Sequence, residues 1–212
     1  MIVKICGLTR PDDAAFAARA GADWLGLNFW PRSRRFVTAS QAAEVADAAR
    51  SARPGVALVG VFVDQPLESV AELVDSLALD FVQLHGDESP EYVKKLGRKA
   101  VKAIPLAGPG DLDRLDDFDC STFLLDTPSP GRGGSGELGD WQLARRAAEV
   151  HRVLLAGGLT PDNVAQAVAA VGPYGVDAAS GVESTPGHKE DSLVERFVAE
   201  ARAAFARAGA GP

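Results

Sequence analysis

Short apolar runs rich in valine, isoleucine and leucine alternate along the chain with alanine-rich stretches of helical period. The first run is Ile2–Cys6, and a helix is predicted over Asp12–Ala20, opened by Pro11 and closed by Gly21. Trp24–Phe29 follows, then a basic loop Pro31–Arg35 and a helix over Ala39–Ala52. The third run, Val56–Val63, precedes a helix at Leu67–Leu77, and the fourth, Phe81–Leu84, precedes one at Pro90–Leu96. Ala100–Ile104 leads to a weaker helix at Leu112–Asp117, and Thr122–Leu125 to a helix at Trp141–Val150. Val153–Ala156 is followed by a helix at Pro161–Val171. The eighth run, Gly175–Ala179, is followed by a terminal helix at Asp191–Ala208.

Strand–helix repeats at this spacing imply parallel strands joined by helical crossovers. Eight of them within 212 residues predict an α/β fold: one (β/α)₈ barrel domain over residues 1–212. An open doubly wound sheet is the alternative that pattern alone leaves standing. The glycine-rich fingerprint expected after its first strand is missing, because Cys6-Gly7-Leu8-Thr9 holds a single glycine.

The formal net charge of -7 argues against a nucleic-acid or acidic-membrane partner. Any anionic ligand must be held by local donors. There is no signal-like h-region in MIVKICGLTR and no run long enough to span a bilayer. The two cysteines, Cys6 and Cys120, suggest free thiols in a reducing, cytoplasmic setting.

In a barrel the chemistry gathers at the C-terminal ends of the strands. Cys6 stands there, before Gly7 and two residues beyond Lys4 on the same face; a nearby ammonium would favour the thiolate, the form that abstracts protons. Lys4 itself reads better as a paired interior lysine than as a reacting group. Asp126 closes Phe123-Leu124-Leu125, and partial desolvation there would suit it to donate a proton, although a turn or cap residue is the plainer account. Thr127–Gly139 is glycine-rich and long for a barrel loop, which suits a lid or an ordinary surface loop.

Gly157-Gly158 and Ser180-Gly181 follow the seventh and eighth runs, where barrels frequently build a phosphate site from backbone N–H groups. Arg32, Arg34 and Arg35 could capture a carboxylate or phosphate. His85 follows the fourth run, while His151 and His188 lie elsewhere. No histidine pair has metal-ligand spacing, so no metal or other cofactor is expected.

With these residues in place, the chain resembles the phosphoribosylanthranilate isomerase family of tryptophan biosynthesis. The resemblance rests on Lys4–Thr9, Phe29–Arg35, Val59–Val63, Val82–Glu88, Leu124–Thr127, Leu155–Val164 and Val176–Glu183, in that order along the chain. It implies a phosphorylated small-molecule substrate: the Amadori rearrangement of N-(5-phosphoribosyl)anthranilate to 1-(o-carboxyphenylamino)-1-deoxyribulose 5-phosphate, third step from chorismate. It implies Asp126 as general acid and Cys6 as general base, with Arg35 on the anthranilate carboxylate and Asp177 on the bridging amine. Gly157, Gly158, Ser180 and Gly181 would serve the phosphate, and His85 would join the substrate-binding set. A monomer or homodimer fits equally. The rival enzymes are a Schiff-base aldolase using Lys102 and a metal-dependent epimerase; a phosphosugar-binding barrel without catalysis would need neither Cys6 nor Asp126.

Overall fold

The computed structural model describes residues 1–126 and 141–209, so the expected lid at 127–139 lies outside the described residues. Its first half comprises β1 (Ile2–Cys6), α1 (Pro11–Arg19), β2 (Trp24–Asn28), α2 (Ala39–Ala52), β3 (Ala57–Phe62), α3 (Leu67–Ser76), β4 (Phe81–Leu84) and α4 (Pro90–Leu96). The second half comprises β5 (Ala100–Pro105), α5 (Gly110–Asp113), β6 (Thr122–Asp126), α6 (Trp141–Ala148), β7 (Val153–Ala156), α7 (Val164–Val171) and β8 (Gly175–Ala178). A hairpin of β9 (Glu183–Thr185) and β10 (His188–Lys189) then precedes α8 (Asp191–Gly209).

Strands β1 to β8 pair in sequence order, and β8 returns to β1, which closes the barrel and removes the open-sheet alternative. The helices start where local chemistry supplies the missing donors and acceptors of their ends. Thr38 and Gln41 form a reciprocal capping box before α2. Pro11 and Pro90 occupy first-turn positions whose N–H has no helical partner, and Ser89 caps α4 by accepting from the Tyr92 N–H at 3.3 Å. Expected and observed boundaries differ where side chains intervene. Helix α7 begins at Val164 rather than Pro161, because Asn163 Oδ1 accepts from the Thr160 N–H at 2.8 Å and shapes a turn there. The fifth helix is a single turn at Gly110–Asp113, displaced from the expected Leu112–Asp117; Asp111 Oδ2 accepts from the N–H groups of Ala107 and Gly108 and anchors its start.

Strand parity divides the molecule into two cores. Alternate residues such as Ile5, Leu25, Phe62, Leu84 and Val176 face the helices and join the larger core. The others, Trp24, Val59, Val101, Ala103, Leu124, Leu154 and Ala156, fill the barrel. At the closed end Trp24 stacks on Phe81 with ring centroids 4.1 Å apart, and the Arg152 guanidinium lies 4.0 Å from the Tyr174 ring centre. The same parity sends Lys102 to the outer layer, since Val101 and Ala103 on either side face inward. There Lys102 Nζ donates to Gly86 O at 2.6 Å and to Glu88 Oε2 at 2.8 Å. A buried, paired lysine outside the barrel cannot meet a sugar in its mouth, which removes the Schiff-base reading of Lys102.

Among the described residues no helix is long and apolar enough to cross a membrane. Trp24 plugs the barrel at the end opposite the chemistry, so its loss should cost stability and spare the site. Trp24→Ala should lower unfolding free energy by about 3–5 kcal/mol. Urea denaturation reads this directly as a lower midpoint at similar slope; an unchanged midpoint would show that the plug carries no weight.

Candidate active site

At the open end, Cys6, Arg35, His85, Asp126, Gly157, Gly158, Asp177 and Ser180 line one cavity of about 270 Å³. Gly181 lines an adjoining cavity of about 710 Å³ that shares Arg35, Gly158 and Ser180. The residues that the resemblance assigns to the site thus line one mouth and its adjoining cavity, whereas Arg32 and Lys102 line neither. The inward parity of β1, β4, β6 and β8 delivers Cys6, Gln83, Asp126 and Asp177 to it, and short loops deliver the others.

The floor of the mouth is ionic. Lys4 and Asp177 are neighbours across the β1–β8 seam, and Lys4 Nζ donates to Asp177 Oδ1 at 3.0 Å with Lys4 fully buried. Burial works against the Lys4 ammonium, but Asp177 and Cys6 outweigh it and hold its pKa above the ordinary lysine value. Lys4 is therefore the paired interior lysine that was expected.

Cys6 stands above this pair, and Gly26 on β2 makes room for it, since a Cβ there would lie 2.7 Å from Sγ. The thiol departs from the sequence expectation. Burial pushes its pKa up, Lys4 pulls it down and Asp177 pushes up again, with burial prevailing. The expected depressed thiol is thus corrected: in the ligand-free site desolvation outweighs the ammonium. Cys120 near the start of β6 is also raised, first by burial.

Asp126 is less desolvated than its apolar strand suggested, with 42% of its side chain exposed. Its carboxylate Oδ2 lies 3.6 Å from His85 Nε2, and His85 Nδ1 is 3.0 Å from Gln83 Nε2 in the barrel interior.

The turns after β7 and β8 fit an anion. Gly157 and Gly158 take positive φ values of 89° and 65°. Residues 180–182 form a 3₁₀ turn whose leading N–H groups have no partner inside it. The two loops touch so closely that a Cβ on Gly181 would lie 1.9 Å from Leu159 O, so only glycine fits. Among the described residues no group of three or more histidine, cysteine, aspartate or glutamate side chains could hold a metal ion.

Comparison with known proteins decides the family. Residues 3–200 match the family described as N-(5'phosphoribosyl)anthranilate (PRA) isomerase. The chain belongs to that family. An N-(5'-phosphoribosyl)anthranilate isomerase of Geobacter sp. (strain M21) is 49% identical over 201 residues, 94% of this chain and 97% of the relative. The crystal structure of phosphoribosyl anthranilate isomerase from Thermotoga maritima superposes with a TM-score of 0.86 at 35% identity, covering 96% of this chain and all of that one. A phosphoribosyl anthranilate isomerase solved in complex with reduced 1-(o-carboxyphenylamino)-1-deoxyribulose 5-phosphate has a TM-score of 0.83 at 33% identity, over 96% of this chain and 100% of its own.

Two residues behind Arg35 escaped the sequence reading as functional groups: Glu183 lines the adjoining cavity and Lys189 is buried behind it. Glu183 accepts from Arg35, and the buried Lys189 donates to Glu183; both belong to the β9–β10 hairpin, which was not expected. The signal was present, since Pro186-Gly187 stands between Ser184-Thr185 and His188-Lys189 as a turn between strand-compatible residues.

The raised thiol has a direct readout. Alkylation of ligand-free protein by iodoacetamide should be slower at Cys6 near neutral pH than at an unburied thiol. It should climb with pH without a plateau below the ordinary value of 9.0. A plateau near pH 7 would show that Lys4 wins over burial.

Proposed function

We propose that this protein rearranges N-(5-phosphoribosyl)anthranilate to 1-(o-carboxyphenylamino)-1-deoxyribulose 5-phosphate, with Asp126 as general acid and Cys6 as general base. The observation that carries this reading is the meeting of an acid, a thiol and a phosphate turn in one mouth. The family membership supports the substrate.

Asp126 protonates the furanose ring oxygen while the anthranilate nitrogen lone pair expels it, and the C1′–O4′ bond breaks to leave a protonated Schiff base. The thiolate of Cys6 removes the C2′ proton, and that electron pair flows into the C=N⁺ bond to give the enolamine. Tautomerisation moves the C2′ hydroxyl proton to C1′ and leaves the ketone at C2′. Asp126 gives the substrate one proton and Cys6 takes one from it, so the product is an isomer, nothing is oxidised or reduced from outside, and exchange with solvent restores both groups for the next turnover. Asp177 contacts the bridging amine, Arg35 holds the anthranilate carboxylate, and Gly157, Gly158, Ser180 and Gly181 hold the phosphate. His85 steadies the Asp126 carboxylate from 3.6 Å. The unpaired state of Cys6 and Cys120 suits a reducing cytoplasm.

Loss of substrate fluorescence, followed with purified protein, tests the assignment. Asp126→Asn keeps shape but lacks the transferable proton, and turnover should fall by roughly 10²–10⁴-fold. Cys6→Ser should be impaired at least as severely, whereas Cys120→Ser should leave turnover intact. Near-normal turnover in folded Asp126→Asn or Cys6→Ser removes that residue from the mechanism.

The pH profile gives an independent check. A raised thiol leaves little base at neutrality, and that fraction grows about tenfold per pH unit until the folded-state pKa is passed. Because kcat/KM reports both the acid and the base of the free enzyme, the thiol limb is read alone in the residual activity of Asp126→Asn, which should climb with pH through the ordinary thiol value of 9.0. A basic limb levelling off near pH 7 would contradict the buried thiol as base.

A further inference from the structure

The buried ions that this chemistry leaves unused sit beside Arg35. Arg35 Nε and Nη2 donate to the two oxygens of Glu183 at 2.7 and 2.6 Å. Its Nη1 has no protein partner among the described residues, while the side chain lines the cavity. Glu183 Oε1 also accepts from Lys189 Nζ at 2.7 Å and from the Gly187 N–H at 3.2 Å. Lys189 Nζ donates in turn to Ala179 O at 3.1 Å, immediately before the Ser180-Gly181 turn. The Glu183 and Lys189 side chains are 4% and 0% exposed.

We infer that Glu183 is a positioning residue for substrate specificity: it holds the side edge of the Arg35 guanidinium so that the end edge, Nη1 and Nη2, faces the cavity ready for a carboxylate. Lys189 braces Glu183 and ties it to the backbone that leads into the phosphate turn. The two anion sites, one for each end of the substrate, are thereby set at a fixed spacing. This rests on the reading of Arg35 as the carboxylate clamp.

Three features favour positioning over simple surface pairing. A guanidinium satisfied at its side by a fork retains an end fork of matching geometry for a second carboxylate. An exposed arginine would have to be immobilised at each binding event, while one already fixed avoids that entropy cost. The charge count also leaves room for an anion, because Arg35 and Lys189 both face the single carboxylate of Glu183, which works against the burial that pulls the Lys189 ammonium below its ordinary value. Burial pushes the Glu183 carboxyl up, but Arg35 and Lys189 outweigh it and keep it ionised. Gly7 completes the arrangement: its φ is +76°, and a Cβ there would lie 2.2 Å from Arg35 Cδ. The glycine after Cys6 thus serves the path of the arginine.

The experiment compares N-(5-phosphoribosyl)anthranilate with N-(5-phosphoribosyl)aniline, which lacks the carboxylate, using the full chain. Wild type should favour the carboxylate substrate by about 10²-fold or more in kcat/KM, as a site built for a polar group rejects an analogue lacking it. Arg35→Ala should abolish that preference. Glu183→Ala should reduce it about tenfold or more, mainly through KM, with inhibition by inorganic phosphate changed by less than about twofold. Glu183→Gln, which keeps one acceptor oxygen, should fall between the two and carries the test if the alanine variant does not fold. Lys189→Met should weaken both the preference and phosphate inhibition, because it braces both sites. If Arg35→Ala abolishes the preference but Glu183→Ala and Glu183→Gln keep it within about twofold of wild type, the positioning role is wrong while the clamp stands. A wild-type ratio near one removes the clamp, and the inference with it.

Discussion

Lys4 and Asp177 lie side by side on the first and last strands of the barrel, and their ammonium and carboxylate meet at 3.0 Å away from solvent. Removing one partner of such a pair strands a charge in a low-dielectric interior, at a cost of about 3–5 kcal/mol. The pair is complete only when β8 docks beside β1, so barrel closure and the floor of the site are one event. Cys6 is placed by the same seam, one inward position above Lys4. A fold that closed with β8 shifted by one residue would turn Asp177 outward, leaving Lys4 unpaired and the thiol without a neighbouring cation.

Parity is the geometric rule behind this placement, and it is also where the sequence is least legible. Strands buried on both faces read as nearly continuous apolar runs, so alternation does not say which residues face the lumen. Lys4 and Lys102 look alike in sequence, each a lysine inside an apolar strand. In the fold Lys4 enters the barrel to meet Asp177, while Lys102 leaves it to meet Glu88. The helices were more legible, since Pro11, Thr38 with Gln41, and Ser89-Pro90 announce their starts through local chemistry. Most strand ends were legible too, because runs such as Ile2–Cys6, Phe81–Leu84 and Val153–Ala156 stop at a polar or glycine residue. That is why the candidate residues at the strand ends gather at one open mouth. The β9–β10 hairpin was missed because its strands have three and two residues, too short for any period to register.

Chemical environment was the other limit. Lys4 does favour the Cys6 thiolate, but burial opposes it more strongly. Sequence shows which charges are close along a strand; it does not show how much water each retains. Cys6 is buried and Asp126 is 42% exposed, although both end apolar strands at the same mouth. The difference comes from packing around them: Gly26 lets the thiol sink against β2, while Asp126 stands out toward His85.

That burial is compatible with the proposed role of Cys6 because a base is judged by strength as well as by abundance. A depressed thiolate would be plentiful at neutral pH but weak, since proton affinity falls with pKa. The C2′ proton of the protonated Schiff base is bound to carbon, and a thiolate held out of water is the stronger base toward it. Lys4 and Lys189 both favour the charged sulfur, whereas burial and Asp177 oppose it. The nearby ions thus keep the thiolate within reach while desolvation keeps it basic. A site built only to maximise the thiolate population would expose Cys6 to water and lose that strength. The same balance bears on stability. A thiol whose folded pKa is raised stabilises the fold below its unfolded value, and that stabilisation is lost as pH rises toward and through the folded value. The buried thiol therefore sets a stronger base against a smaller thiolate population, and the same burial makes the barrel less stable as pH rises through the folded value.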